Sequence, residues 1–129
     1  MPLLRFDVYE GRSDEELNAV LDAVHRVMVD TFKVPERDRY QVVHEHRPAT
    51  FIMEDTGLDI ARTNRFIFIQ VTTRARTRDM KEAFYKGVVE ALEQKCSIAP
   101  SDVMMNFVTC GDEDWSFGLG RAQFLTGEL

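Results

Sequence analysis

Apolar and polar residues alternate at the start of the chain, where Leu4, Phe6 and Val8 are each separated by one polar position. A period of two is typical of a half-buried β-strand, which we predict over Leu3–Tyr9. Three later segments predict further strands, the clearest being a dense run of β-branched and aromatic residues. These segments are Tyr40–His46, Arg65–Thr72, which holds that run, and Val103–Thr109.

Two amphipathic helices are predicted between these strands. Ser13 followed by Glu16 forms a capping-box pattern, and apolar residues then recur at helical spacing until Val34–Pro35 ends the helix. The second helix is predicted over Thr77–Lys95. The apolar positions are Leu17, Val20, Leu21, Val24, Val27, Met28 and Phe32 in the first helix and Met80, Phe84, Val88, Val89 and Leu92 in the second.

The remaining segments contain turn residues. Residues 47–64 hold Pro48, Gly57 and Asn64 and predict a loop, with a short strand around Phe51–Met53. Residues 111–129 combine glycines with aromatic residues, which predicts a hairpin or an ordered flap.

The chain contains an internal repeat. A shift of 64 positions places Arg12 on Arg76 and Asp38 on Asp102 without a gap. The same shift pairs Ser13 with Thr77, Val20 with Phe84, Val24 with Val88, Met28 with Leu92 and Val34 with Ile98. Each copy reads as a βαβ unit. We therefore expect one domain made of two units, about 1–60 and 61–110, followed by a flap at 111–129.

Connection rules extend the repeat to a fold. A crossover helix makes the strands of each unit parallel, and right-handed crossovers place both helices on one face of a four-stranded sheet. The prediction is an α+β two-layer sandwich whose second sheet face is apolar and uncovered. Because exposed apolar patches of that size rarely stay free, we expect the chain to form an oligomer.

Composition narrows the functional classes. The chain of 129 residues is 44% hydrophobic and carries 22 acidic against 16 basic residues, a net charge of −6. This balance argues against nucleic acid and anionic membranes as partners. No apolar run is long enough to cross a bilayer, and the start lacks a secretory pattern, so we expect a cytoplasmic protein. Two widely spaced cysteines, Cys96 and Cys110, are expected to be reduced thiols.

No motif for a metal or cofactor is present, so none is expected. His44 and His46 share one face of a predicted strand, where they are either metal ligands or, as we favour, ordinary surface residues. Cys110 has no recognisable activating base in the sequence. Trp115 and Phe117 lie next to glycines, where aromatic residues are more often part of the core than of a pocket.

Pro2 is a candidate catalytic group. Methionine aminopeptidases remove Met1 before small residues and proline, which would leave a secondary amine at the start of a strand. Such an amine acts as a general acid or base, or forms an iminium with an aldehyde or ketone. If Met1 stays in place, this chemistry is lost.

Arg74 and Arg76 are two residues apart after a strand, so both guanidinium groups could bind one carboxylate or phosphate. The alternative is a solvated charge cluster with Arg78 and Asp79. Asp38 starts a strand, where it is either an acid/base or a turn cap; its repeat partner Asp102 keeps the structural interpretation open.

Taken together, Pro2, the duplicated βαβ unit and the Arg74/Arg76 pair resemble the tautomerase superfamily, and within it the malonate semialdehyde decarboxylase family. The likeness runs from end to end and is most specific in the Trp-Ser-Phe-Gly segment. It rests on Pro2–Asp7, Glu10–Arg12, Val34–Pro35, Asp38–Gln41, His46–Pro48, Glu54–Gly57, Arg74 with Arg76, Phe84–Lys86, Asp114–Gly118, Gly120–Ala122 and Phe124–Gly127.

The resemblance implies a function for each matching position. It implies a homotrimer that decarboxylates malonate semialdehyde without a cofactor, with Pro2 as the catalytic amine and Asp38 as its acid/base or water-orienting partner. Arg74 and Arg76 would hold the substrate carboxylate. The apolar wall would be formed by Trp115, Phe117, Phe124 and Leu129. A related hydratase, dehalogenase or tautomerase, and a non-catalytic trimeric binding protein, remain the alternatives.

Overall fold

Four strands form one mixed sheet in the computed structural model, which describes all 129 residues. The strands are β1 (Leu3–Tyr9), β2 (Tyr40–His46), β3 (Ile67–Arg74) and β4 (Val103–Cys110), and their order across the sheet is β2–β1–β3–β4. β1 runs parallel to β2 and β3 parallel to β4, while the two central strands β1 and β3 are antiparallel. The predicted pair of βαβ units is therefore present.

Two long helices, α1 (Asp14–Phe32) and α2 (Arg78–Cys96), connect the strands of each unit. The predicted capping box begins α1: Ser13 Oγ accepts from the Glu16 amide, and Glu16 Oε1 accepts from the Ser13 amide, both at 3.1 Å. Both helices end at a residue with left-handed backbone, Lys33 and Ser97, each with φ of 55°. The two helices thus begin and end at repeat-equivalent positions.

The core lies between one face of the sheet and both helices, which confirms the predicted two-layer architecture. Leu4, Phe6 and Val8 of β1 point into it and are at most 2% exposed. Burial of each such side chain contributes about 1.5–3 kcal/mol to folding. The other members are Val20, Ala23, Val24, Met28 and Phe32 from α1, Ile67, Ile69 and Val71 from β3, Phe84, Val88 and Leu92 from α2, and Ile98.

The opposite sheet face has no helix over it, as expected, but it is mixed rather than apolar. Alternation and strand pairing place polar residues among the apolar ones on this face. His46 Nε2 lies 2.6 Å from Asp7 Oδ1 and His44 Nδ1 lies 3.7 Å from the same oxygen. The apolar members of the face include Leu3, Tyr40, Val42, Phe68, Met104 and Val108.

The repeat shift of 64 holds for the helices but not for the first strands. Leu3 pairs with Tyr40, 37 positions later, whereas Ile67 pairs with Val103, 36 positions later. If the outer strands β2 and β4 are related by 64 positions, the central strands β1 and β3 are therefore related by 65. That shift places Phe6 on Val71, and both are buried against the helices. A shift by one residue would turn the strand's side chains to the other face, so burial selects the odd shift. The ungapped repeat predicted for residues 12–38 and 76–102 agrees with the structure, and the one-residue difference lies before it, in the first strands.

One other local prediction differs from the structure, and the structure decides between the two alternatives for the tail. No strand forms at Phe51–Met53; Phe51 is buried instead by packing its ring on Tyr9 and Phe66, at centroid distances of 4.9 and 5.9 Å. The tail forms no hairpin. It is an ordered flap that contains a 3₁₀ turn (Asp112–Asp114) and a four-residue helix, α3 (Gln123–Thr126). No helix of the structure combines the length and the apolar character needed to cross a membrane.

Asp102 joins the long loop to the start of β4. Its Oδ1 accepts from the Thr63 amide at 2.7 Å and its Oδ2 from the Thr63 hydroxyl at 2.6 Å, and the residue is 2% exposed. We expect Asp102→Ala to lower the free energy of unfolding by about 2–3 kcal/mol, because two buried hydrogen bonds to a charged group are lost. Urea unfolding measures this difference. Glu93→Ala, at an exposed position of α2, is the control; equal losses in both variants would contradict the prediction.

Candidate active site

A cavity of about 490 Å³ lies at the end of the sheet where the chain begins. Three chain segments meet there: the first residue, the loop that follows α1, and the loop between β3 and α2, with the flap closing one side. The cavity therefore brings together the start, the middle and the end of the chain. Its lining consists of Met1, Phe32, Lys33, Val34, Pro35, Arg37, Asp38, Arg74, Arg76, Phe124 and Leu129.

Asp38 is the buried acid of this cavity. It is 5% exposed, and its amide donates to the Pro35 carbonyl at 3.0 Å, which fixes the loop after α1. Its Oδ2 lies 3.9 Å from the terminal amine, while its Oδ1 is buried without a hydrogen-bond partner. Burial raises the pKa of the Asp38 carboxyl, and the positive amine and Arg76 oppose this rise.

Asp38 differs from its repeat partner Asp102 in one decisive respect. Both residues are buried, but both Asp102 oxygens are occupied by Thr63. Asp38 has no equivalent partner and faces a charged amine instead. The turn-cap interpretation therefore describes Asp102, whereas Asp38 is available to a ligand or a proton.

Arg76 is held against the end of α1. Its Nε donates to Thr73 Oγ1 at 3.2 Å, and its guanidinium carbon lies 5.0 Å from the centre of the Phe32 ring. Burial and the neighbouring Arg74 lower the pKa of Arg76. Because a guanidinium stays protonated at neutral pH even when its pKa is lowered, Arg76 remains a cation.

Arg74 is the last residue of β3 and is anchored by the flap. Its Nη1 donates to Asp112 Oδ1 at 3.0 Å, and its guanidinium carbon lies 4.0 Å from the centre of the Phe124 ring. Its Nε is buried without a hydrogen-bond partner. The two arginines thus line one cavity, but each is positioned by contacts with different residues.

The flap places the predicted aromatic wall in two layers. Phe124 and Leu129 line the cavity, but Trp115 and Phe117 do not. Trp115 stacks on Phe117 with ring centres 5.4 Å apart, and Phe117 meets Phe124 edge-on at the same distance. Trp115 and Phe117 therefore support Phe124 from behind.

One buried amide side chain fixes this flap. Gln123, 9% exposed, accepts from the Phe117 amide at 3.0 Å and donates to the Gly118 carbonyl at 2.8 Å. These two bonds hold the loop that carries Phe117 next to the helix that carries Phe124. Gln123 was not among the residues selected from the sequence.

Pro2 is buried directly before β1, and the amine that reaches the cavity in this structure belongs to Met1. Burial lowers the pKa of that amine, Arg76 and Arg74 lower it further, and Asp38 raises it. Removal of Met1 would leave the Pro2 nitrogen as the terminus, one residue or about 3.8 Å along the chain. The Met1 amine, Asp38 and both arginines are thus neighbours in this structure, and Pro2 follows that amine directly in the chain.

Several residues of the cavity were missed by the sequence analysis. Thr73 orients Arg76, and Asp112 orients Arg74. Phe32, Lys33 and Arg37 line the cavity wall. The available signal was the Val34–Pro35 helix end, which places this wall next to Asp38 in the chain; nothing comparable pointed to Thr73 or Asp112.

We expect Asp38→Asn to lower the pKa of the terminal amine further, because the carboxylate is the neighbour that raises it. The amine then becomes neutral at a lower pH than in the unmodified protein. The ¹⁵N chemical shift of the terminal nitrogen, followed against pH, measures this change. Asp102→Asn is the matched control and leaves the titration in place. An unshifted amine in Asp38→Asn would show that the two groups are not coupled.

Comparison with known proteins identifies relatives over the whole length. A family described as tautomerase enzyme matches residues 38–118, and a second family with the same description matches residues 2–60. The probable tautomerase YrdN of Bacillus subtilis (strain 168) is 49% identical over 129 residues, which cover 100% of both chains.

Two solved structures are similar in both fold and sequence. A malonate semialdehyde decarboxylase with decarboxylase and hydratase activities is 48% identical, with a TM-score of 0.96 over 98% of each chain. The FG41 malonate semialdehyde decarboxylase, inhibited by 3-bromopropiolate, is 38% identical, with a TM-score of 0.93 over 98% of this chain and 97% of that one. Together with the shared architecture, these matches show that the chain belongs to the tautomerase superfamily.

Proposed function

We propose that this tautomerase superfamily enzyme decarboxylates malonate semialdehyde to acetaldehyde and CO₂, with Pro2 as the catalytic amine after removal of Met1. One observation carries the proposal: a terminal amine, the buried carboxyl of Asp38 and the guanidinium groups of Arg74 and Arg76 line a single cavity. The likeness to two malonate semialdehyde decarboxylases supports the choice of substrate. The reaction needs no metal or cofactor.

Arg74 and Arg76 hold the substrate carboxylate in this proposal. Their guanidinium groups are packed on Phe124 and Phe32, which limits their conformations before the substrate arrives. Charge-assisted hydrogen bonds from two arginines orient the carboxylate, so that the bond to be broken stands perpendicular to the carbonyl plane. Electrons released from that bond then enter the carbonyl.

The Pro2 amine supplies the electron sink, and two routes are open. A protonated amine donates a hydrogen bond to the aldehyde oxygen; the carboxylate–C2 bond breaks, CO₂ leaves and the electron pair moves into the carbonyl to form the enolate, and one proton added at C2 gives acetaldehyde. Alternatively, the neutral amine attacks the aldehyde carbon and water leaves, giving an iminium. The same bond then breaks to an enamine, and protonation at C2 followed by hydrolysis releases acetaldehyde and the amine.

Asp38 acts on protons in either route. Because burial raises its pKa, the carboxyl is suited to exchange a proton with the amine or with C2. Asp38 lies 3.9 Å from the Met1 amine, and after removal of Met1 the same carboxylate would stabilise the protonated form of the Pro2 amine. Phe32 and Phe124 exclude water beside the arginines, which favours loss of charge from the carboxylate.

A second candidate is addition of water to an unsaturated three-carbon acid, or a keto–enol tautomerisation. The unpartnered Asp38 Oδ1 favours it, since a free carboxylate oxygen can orient a water molecule. Parallel assays with malonate semialdehyde, 2-oxo-3-pentynoate and phenylpyruvate distinguish the reactions. A non-catalytic trimeric binding protein is the third candidate, and a retained Met1 would favour it.

The proposed assembly is a homotrimer. The uncovered sheet face supports it, since Val42, Met104 and Val108 remain 37–43% exposed in one chain. A partner chain over this face would bury them together with the Asp7–His46 pair. The two free cysteines, Cys96 and Cys110, are consistent with a cytoplasmic location.

Pro2→Ala tests the proposed amine. For the protein without substitutions, we expect intact mass spectrometry to show that Met1 has been removed. After exposure to 3-bromopropiolate, we expect the mass of one covalent adduct, located on Pro2. Pro2→Ala is expected to lower kcat for decarboxylation by about 10²-fold or more, because general acid–base catalysis contributes on this scale. Unchanged decarboxylation in Pro2→Ala, or a retained Met1 in an active enzyme, would contradict the proposal.

Arg76→Ala tests the carboxylate site. Loss of one charge-assisted hydrogen bond is expected to reduce kcat/KM for malonate semialdehyde by about 10–100-fold, mainly through a higher KM. Arg78→Ala makes the same change in charge two positions away, at a side chain that is 89% exposed, and serves as the matched control. If KM and kcat of Arg76→Ala equal those of the control, Arg76 does not hold the substrate.

A further inference from the structure

A second cavity, of about 340 Å³, lies at the end of α2 and is separate from the candidate active site. Three cationic and two acidic side chains line it in a chain whose overall charge is −6. Cationic side chains therefore outnumber acidic ones in this cavity, whereas acidic side chains outnumber cationic ones in the chain as a whole. The lining consists of Arg12, Ser13, Glu15, Glu16, Ala19, Val20, Arg65, Lys95, Cys96 and Ser97.

The internal repeat relates this cavity to the candidate active site. Arg12 is the counterpart of Arg76, and Cys96 and Ser97 are the counterparts of the Phe32–Lys33 segment. Each cavity thus lies where its own βαβ unit begins its first strand and ends its helix. The duplication that produced the fold also produced two cavities with an arginine at the same place.

The second cavity lacks the reactive groups of the first. No chain terminus is present, because the chain continues through Arg65 into the fully buried Phe66. The counterpart of Asp38 is Asp102, whose two oxygens are occupied by Thr63. The geometry is therefore compatible with holding an anion and lacks both the amine and the free carboxylate that chemistry would need.

The cations of this cavity keep unused hydrogen-bond donors. Arg12 donates one hydrogen bond within the chain, from Nη2 to the Arg65 carbonyl, and its Nε is buried without a hydrogen-bond partner. Lys95 forms no hydrogen bond or ion pair within the chain and lines the cavity. Burial lowers the pKa of Arg12, and repulsion by the like charge of the nearby Arg65 lowers it further. A bound anion would relieve this repulsion.

The acidic residues only partly offset these charges. One Glu16 oxygen is used by the Ser13 amide in the capping box, and the other lies 3.8 Å from Arg65 Nη1. Three cations and the two carboxylates of Glu15 and Glu16 leave a net charge of about +1 at neutral pH. This favours a ligand with one or two negative charges.

We propose that this cavity is a second, non-catalytic site that binds a small oxyanion, either a monocarboxylate or inorganic phosphate, through Arg12, Arg65 and Lys95. A purely structural role accounts for part of the cluster, since Arg65 Nη2 donates to the Cys96 carbonyl at the end of α2, at 3.3 Å. It does not account for Lys95 or for the unpartnered Arg12 Nε. The proposal is independent of the reaction at Pro2.

Titration of the ¹⁵N-labelled full-length protein tests the site, with sodium phosphate in one series and sodium propionate in another. Ionic strength is held constant with sodium chloride. We expect saturable shifts of the Ser13, Cys96 and Ser97 amides with a Kd of the order of 1 mM for at least one of the two anions. The series that saturates identifies the ligand class. Shifts that stay linear with both anions would overturn the proposal.

Variants distinguish this site from the candidate active site. Lys95→Ala, at an exposed position, is expected to weaken binding about tenfold, because a charge-assisted contact is lost. Arg12→Lys is expected to weaken binding by about the same factor, because the charge remains but the planar guanidinium is lost. Arg76→Ala is the matched control in the other cavity and leaves these shifts unchanged. If Lys95→Ala binds as tightly as the unmodified protein, or if Arg76→Ala abolishes the shifts, the proposal is wrong. Lys95→Ala carries the test if Arg12→Lys does not fold.

Discussion

The central position of β1 in the sheet is the constraint on which the rest of the structure depends. β1 pairs with β2 on one side and with β3 on the other, so hydrogen bonds fix the first residues of the chain as firmly as its middle. Leu4 and Phe6 add anchoring in the core. A chain terminus on an edge strand would fray, whereas here the terminus is held at a defined place. That place is where the loops after α1 and β3 meet.

The charged groups that meet at this place shift one another's pKa values. The amine and Asp38 are both partly withdrawn from water, and burial shifts their pKa values in opposite directions, the amine downwards and the carboxyl upwards. Each shift narrows the interval between the two pKa values, which makes proton exchange between these groups less costly. Arg74 and Arg76 contribute two positive charges to the cavity lining, so an anionic ligand would compensate this charge rather than add to it. In the function that we propose, the same arrangement serves carboxylate binding and proton transfer.

Duplication explains how one small chain has two cavities with different chemistry. The two βαβ units share helix ends, caps and an arginine before each helix. They differ because only one unit can contain the beginning of the chain. They differ also because Thr63 donates hydrogen bonds to both carboxylate oxygens of Asp102, whereas Oδ1 of Asp38 has no hydrogen-bond partner. Identical scaffolding thus gives a site with reactive groups and, in our proposal, a site that only binds.

Local patterns determined most of the fold. The predicted bounds of β1, which rest on alternation, and those of β2 are the bounds in the structure, and helical spacing with the capping box located α1. Those signals act over a few residues, and backbone hydrogen bonding and burial enforce them locally. The same approach failed at Phe51, whose burial comes from aromatic contacts with distant segments. It left the tail open between a hairpin and an ordered flap, because the side chain of Gln123 is what fixes the flap.

For the candidate site too, some features were predicted from the sequence and others depend on the tertiary structure. Sequence and resemblance selected Pro2, Asp38, Arg74 and Arg76 because their residue types and spacing carry recognisable chemistry. Only the tertiary structure decided which of two buried aspartates is free, and that Phe124 lines the cavity while Trp115 stands behind it. These properties depend on contacts between segments far apart in the chain. A one-residue shift between the repeated strands, invisible to local pattern, decides which side chains face the helices.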